Sequence, residues 1–272
     1  SNSGPSPAHA FAAAVQPVAQ TTIQTDTQGL AADDVVIHTG SGDLPAYRAV
    51  PAVAPANGDK HPVILVVQEI FGVHEHIRDV ARRLAKLGYL AIAPELYFRQ
   101  GDPSKIDSID ELREKVISKV PDTQVLDDLD ACVAWAAANN GDVDRLGMTG
   151  FCWGGRITWL YAARQPRLKA AVAWYGKLVG PTHALSPKNP IDVAAQLKAP
   201  VLGLYGGKDQ AIPLESVETM QMALNASANP STIHVYPDAG HAFLADYRPN
   251  YHQSSAEDGW RRMQAWFKQH GI

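Results

Sequence analysis

A continuous apolar run, Val63 to Val67 (VILVV), is followed by an amphipathic segment, Ile77 to Leu87 (IRDVARRLAKL), that stops at Gly88. The same pairing then recurs along the chain. Tyr89 to Ala93, Leu146 to Thr149, Ala170 to Tyr175, Val201 to Tyr205 and Thr232 to Tyr236 read as strands. Ile109 to Val120, Val125 to Asn139, Trp153 to Arg164, a segment after Pro213 and Glu257 to His270 read as helices. A strand that is apolar at every position has both faces covered. Strands that alternate with helices form right-handed βαβ units and one mostly parallel sheet with helices on both faces. Ahead of these units, Asp34 to Thr39 and Leu44 to Val50 flank Gly40-Ser41-Gly42-Asp43 and predict an antiparallel hairpin. The fold class is therefore α/β, with the outline of an α/β-hydrolase.

The 272-residue chain is 46% hydrophobic and 19% charged, with a net charge of -4, which fits one globular domain over residues 31–272. No basic stripe points to a nucleic-acid partner, and no apolar run is long enough to span a membrane. Residues 1–30 are rich in Ala, Gln and Thr and predict a disordered or signal-derived tail. Within it, Ala8 to Val18 fits the remnant of a signal peptide or an ordinary tail; the first reading favours a periplasmic or exported protein over a cytoplasmic one. Nothing indicates more than a monomer or small homo-oligomer.

In a parallel sheet, ligands bind beyond the carboxyl ends of the strands. The strand LGMT leads into Gly150-Phe151-Cys152-Trp153-Gly154-Gly155, which opens a helix. This is the G-x-S-x-G elbow with Cys in place of Ser, a tight turn that exposes a nucleophile above the sheet. The helix N-terminus favours a thiolate there. Cys132, by contrast, lies on the apolar side of a helical pattern and reads as a buried small hydrophobe. Asp209 follows the strand VLGLY, and His241 follows TIHVY. Nucleophile, acid and base thus occur in the order this fold uses, with His241 as general base and Asp209 fixing its tautomer. An isolated turn Asp or loop His is unremarkable; both after consecutive strands are harder to ascribe to chance. Acyl transfer also needs oxyanion donors. The N–H of Trp153 and that of Ile70, in the loop after VILVV, are the candidates. Glu69, in the same loop, places a carboxylate beside a thiolate, so one of the two should hold a proton.

QEIFG (68–72), GFCWGG (150–155), the Asp of GGKD and GHAF (240–243) together resemble the dienelactone hydrolase family, over roughly Asp34 to the C-terminus. The resemblance implies a cofactor-free hydrolase that opens an enol-lactone bearing a carboxylate. It implies that Glu69 holds the resting thiol and helps release it as thiolate. It implies substrate-binding arginines, of which Arg99 in ELYFR matches one; the position of the other, four residues past the His, is Ala245, and Arg248, displaced from it, is the candidate to take its place. Phe71 is expected to line the pocket. His74 and His76 resemble a metal pair, but no third ligand is evident, so no metal is expected. Two other readings keep the same residues: a general carboxylesterase or acyl transferase, and a non-catalytic binding protein on this scaffold.

Overall fold

The computed structural model describes residues 22–56, 58 and 60–272. The chain forms a hairpin, β1 (Leu30–Thr39) and β2 (Gly42–Pro51), then β3 (His61–Val67), α1 (Glu75–Lys86), β4 (Leu90–Pro94), α2 (Ile109–Lys115) and α3 (Asp122–Ala138). It continues through β5 (Gly141–Phe151), α4 (Trp153–Arg164), β6 (Leu168–Trp174), the single turn α5 (Pro190–Val193), β7 (Val201–Gly206), α6 (Leu214–Asn225), β8 (Thr232–Tyr236) and α7 (Gln253–Gln269). One eight-stranded sheet results, in the order β1-β2-β4-β3-β5-β6-β7-β8. β1 and β2 run antiparallel, and every neighbouring pair from β4 to β8 is parallel.

The order reverses at β3 and β5: β4 lies on one side of β3, and β6 on the other side of β5. Right-handed crossovers therefore put α1 and α4 on opposite faces. The gap between β3 and β5 is the switch point at which such sheets hold ligands. The core is continuous. Val63 to Val67 are all fully buried, as are Trp159 and Trp174 between sheet and helices.

Several elements differ in extent from the sequence reading. β5 begins at Gly141, because Gly141 and Asp142 already pair with His61 and Pro62 of β3, ahead of a register shift after which Val63 pairs with Leu146. α2 stops at Lys115, where Val116 leaves helical geometry, and a single 3-10 turn follows at Ile117–Lys119. The expected tail also needs redrawing. Residues 22–29, placed in it, lie against α1: Thr25 N–H donates to Asp79 at 2.6 Å, Arg82 donates to Thr25 O at 2.8 Å, and Ile23 N–H donates to Asp246. Two buried carboxylates thus take backbone donors from this segment, a satisfaction that composition cannot reveal. Ala8 to Val18 lie outside the described residues.

Candidate active site

The turn from β5 into α4 carries Cys152 at φ 58, ψ -116, a left-handed conformation that costs a non-glycine residue roughly 1–3 kcal/mol. It persists because the neighbours leave no alternative. Cys152 N–H donates to Trp174 O at 3.0 Å, and its carbonyl accepts from Gly155 and Arg156 at 2.9 and 3.2 Å. A Cβ at Gly150 would lie 2.1 Å from Gly154 O, and one at Gly154 2.4 Å from Val67 O. Backbone therefore meets backbone between α4 and the end of β3, and the Cys152 side chain is lifted above the sheet.

Asp209 and His241 arrive from the ends of β7 and β8. Asp209 is buried, and its Oδ1 accepts from Ala211 and Ile212 N–H at 2.8 and 3.2 Å. Its Oδ2 stands 2.7 Å from His241 Nδ1. His241 Nε2 in turn lies 3.2 Å from Cys152 Sγ. Burial opposes charge on His241, but hydrogen bonds to Asp209 and Cys152, and the charges of both, push the imidazole up to about 10. The arrangement can hold a thiolate–imidazolium pair, the activated form of a cysteine nucleophile.

The two proposed oxyanion donors sit on either side of the switch point. Trp153 opens α4, where first-turn N–H groups have no intrahelical acceptor. Ile70 occupies the turn after β3 that is closed by the Glu69–Gly72 bridge. Phe71 is buried, with its ring edge-on to His74 at 5.7 Å and beneath Arg248 at 5.5 Å.

Glu69 is fully buried, yet its oxygens do not face the thiol as the resemblance implied. Oε1 accepts from Tyr247 Oη at 2.7 Å, and Oε2 lies 3.4 Å from Arg248 Nη1. Cys152 Sγ faces His241 instead. Arg248, displaced along the sequence, is brought in by the fold. The charges of Glu69 and Cys152 both act on it, and together they raise it against burial.

Arg99 requires a correction. Its Nη1 and Nη2 bind both oxygens of Asp128 at 2.8 and 3.0 Å, while Nη2 also donates to Thr39 Oγ1 and Nε to Ser41 O, each at 3.1 Å. The guanidinium ties α3 to the β1–β2 turn and takes no part in the cluster around Cys152.

Four aromatic or imidazole groups pack around the site without having been singled out for that role. Tyr175, at φ 38 just past β6, packs edge-on against His241 at 5.3 Å. Tyr97 meets the Trp153 ring at 4.8 Å. His74 Nε2 lies 2.8 Å from Tyr247 Oη and 3.5 Å from Glu69 Oε1, and His76 Nδ1 lies 3.3 Å from Asp246. Only the position of Tyr175 at a strand's carboxyl end was a usable signal.

Residues 45–271 match the model of the dienelactone hydrolase family. A protein of Methylorubrum extorquens named "Putative carboxymethylenebutenolidase" is 61% identical over 264 residues, covering 96% of this chain and 89% of its own. One of the same name from Escherichia coli (strain K12) is 59% identical over 261 residues, covering 96% of this chain and 95% of its own. A crystal structure named as a "Putative Dienelactone Hydrolase" from Klebsiella pneumoniae superposes with a TM-score of 0.86 at 60% identity, covering 88% of this chain and 99% of that one. With an α/β-hydrolase sheet and a match over most of its length, the chain belongs to the dienelactone hydrolase family and is a carboxylic ester hydrolase of the carboxymethylenebutenolidase type.

Proposed function

We propose that this hydrolase opens a small lactone that carries a carboxylate, through Cys152, His241 and Asp209 and a thioester intermediate. The observation that supports it most is the unbroken chain from Asp209 Oδ2 to His241 Nδ1 (2.7 Å) and from His241 Nε2 to Cys152 Sγ (3.2 Å). His241 takes the thiol proton, and Asp209 stabilises the resulting imidazolium. The thiolate attacks the lactone carbonyl carbon, and the carbonyl oxygen becomes an anion beside the N–H groups of Trp153 and Ile70. Collapse of this adduct breaks the ring C–O bond. The departing oxygen receives the proton from His241, and the acyl group stays on sulfur. Water, deprotonated by His241, then attacks the thioester and releases the thiolate. No cofactor enters any step.

Arg248 supports an anionic substrate. It is the guanidinium on which the Cys152 charge acts, and it can grip a carboxylate with charge-assisted hydrogen bonds. The names of the similar proteins denote a butenolide bearing a carboxymethylene group, which has this chemistry.

The test is mass spectrometry of the protein quenched during turnover of a carboxylated enol-lactone, in wild type and Cys152→Ala. An adduct of the opened acid's mass, less water, should appear on the peptide containing Cys152 and vanish in the variant. Full turnover by Cys152→Ala would overturn the proposal.

A further inference from the structure

Gln68 follows β3 directly and is fully buried. Its Oε1 accepts from Leu96 N–H, just past the end of β4, at 3.0 Å, and its Nε2 donates to Glu69 O at 3.1 Å. A backbone N–H can only donate and a carbonyl can only accept, so these two partners fix which end of the amide is oxygen. Turning the amide over would leave buried polar groups unpaired. The far end of the same loop is tied to the same place: Val73 N–H donates to Glu95 Oε2 at 3.2 Å, again just past β4. The loop also abuts the elbow, since a Cβ at Gly154 would lie 2.5 Å from Gln68 O.

These contacts give the Glu69–Ile70 peptide a direction. A trans peptide is planar, and its C=O and N–H point opposite ways. Glu69 O is held by an amide that is itself anchored on Leu96, on the β4 side of β3. Ile70 N–H therefore points away from β4. On that other side of β3 lies β5, which ends in the turn carrying Cys152 and Trp153. The Glu69 side chain is engaged separately, by Tyr247 and Arg248, so it does not compete for the same amide.

We infer that Gln68 is a positioning residue for acyl transfer. Its carboxamide holds the Glu69–Ile70 peptide so that Ile70 N–H is aimed, before substrate arrives, at the oxygen that turns negative when the Cys152 thiolate adds to the carbonyl. The inference rests on the reading of Ile70 N–H as an oxyanion donor. A donor fixed in advance needs no reorganisation as the charge develops, which is where such groups gain their effect. Gln68 acts on the oxyanion that every ester or lactone forms, so its contribution is independent of substrate charge.

The test separates the oxyanion from the nucleophile. Gln68→Met keeps the length of the side chain and loses both hydrogen bonds. Outright removal of an oxyanion donor costs about 10²–10³ in kcat, so a donor left in place but no longer held should cost roughly ten- to a hundredfold. The loss should be equal for a carboxylated lactone and its methyl ester and should fall on kcat, with KM little changed, as for a contact made only in the transition state. An alkyl trifluoromethyl ketone adds the thiolate at its carbonyl carbon and places the electron pair on oxygen, and its inhibition should weaken by a similar factor. Iodoacetamide loses iodide to the same thiolate without forming an oxyanion, and its rate at pH 7 should stay close to that of wild type. Unchanged kcat and ketone affinity in Gln68→Met would overturn the inference. So would an alkylation rate that falls as far as the ketone affinity, because the variant would then have disturbed the elbow as a whole. Gln68→Glu is nearly isosteric and serves if Gln68→Met does not fold. Protonated, its carboxyl still accepts from Leu96 and donates to Glu69 O; ionised, it sets an oxygen against that carbonyl. Its kcat relative to wild type should approach one at low pH and fall as pH rises through the raised pKa of a buried carboxyl. A ratio that stays at one throughout would overturn the inference as well. Replacement of the Glu69–Ile70 amide by an ester, which removes the N–H, tests the underlying reading. If the ester weakens ketone binding and Gln68→Met does not, Ile70 remains the donor and Gln68 does not position it; if the ester changes nothing, both readings fall.

Discussion

Arg99 grips both carboxylate oxygens of Asp128, at 2.8 and 3.0 Å, and so ties α3 to the β1–β2 turn. Arg99→Ala would strand Asp128, which is 2% exposed, without its counter-ion. Loss of one partner of a buried pair costs about 3–5 kcal/mol, so a loss of about 2–4 kcal/mol is expected for this partly shielded one. Burial already raises the Asp128 carboxyl above its ordinary range against the effect of Arg99, and the variant would raise it further. Thermal unfolding should show the loss, while the ratio of kcat/KM for a carboxylated lactone to that for its methyl ester stays the same. A changed ratio with an unchanged Tm would return Arg99 to the pocket.

Arg248→Ala should do the reverse. A charge-assisted contact contributes about 1.5–3 kcal/mol, so kcat/KM for the acid should drop roughly ten- to a hundredfold and that for the ester far less. Removal of Arg248 also takes a cation from Glu69, so a modest loss on both substrates accompanies the selective one. Parallel losses of equal size would mean that Arg248 does not read substrate charge.

The contrast between these two arginines shows what the sequence could convey. Cys152, Asp209 and His241 are legible because each lies within a few residues of a strand's carboxyl end, where the parallel sheet itself dictates position. Arg99 also follows a strand, but a long side chain chooses its partner by three-dimensional proximity, and Asp128 is a helix away. Arg248 was legible only as a displaced candidate, and Tyr247 not at all, for the opposite reason. Backbone bonds from Ala245 to Ala242 O and from Arg248 to Ala245 O coil the segment after His241, which returns both side chains to Glu69 at the end of β3. No periodicity in the sequence encodes that return. The ordered start of the chain was missed similarly, since it depends on Asp79 and Asp246 accepting backbone donors from residues 23 and 25.

Gly150→Ala should unfold the elbow before it affects chemistry. Its Cβ would meet Gly154 O at 2.1 Å and Thr158 Oγ1 at 2.4 Å, and the first is backbone that cannot rotate away. A cost of at least about 3 kcal/mol is expected. For a domain of this size that corresponds to a fall in Tm of roughly 6–12 °C. Gly40→Ala, where nothing lies within 4 Å of the new Cβ, is the control and should leave Tm within about 2 °C of wild type. Similar melting of both variants would show that the elbow tolerates a shift of α4 away from β3.

The last prediction concerns pH and the two cysteines. Cys132 is buried, and burial pushes its thiol up, so it should resist alkylation in the folded protein. Cys152 is partly exposed and faces an imidazole raised to about 10. Iodoacetamide at pH 7 should therefore modify one cysteine, on the Cys152 peptide. Because the imidazolium persists well above neutral pH, the adjacent positive charge should raise the wild-type alkylation rate at pH 7. In His241→Gln it should be lower at that pH. The same pairing sets a stability trend. A histidine whose folded pKa lies above its unfolded value of about 6.5 contributes stability fully below that value and loses it as pH rises through the folded value. The Tm advantage of wild type over Asp209→Asn should accordingly be largest near pH 6 and shrink towards pH 10. Equal alkylation rates for wild type and His241→Gln at pH 7, with a Tm difference independent of pH, would mean that the imidazole stays neutral and that the thiol is activated only when substrate arrives.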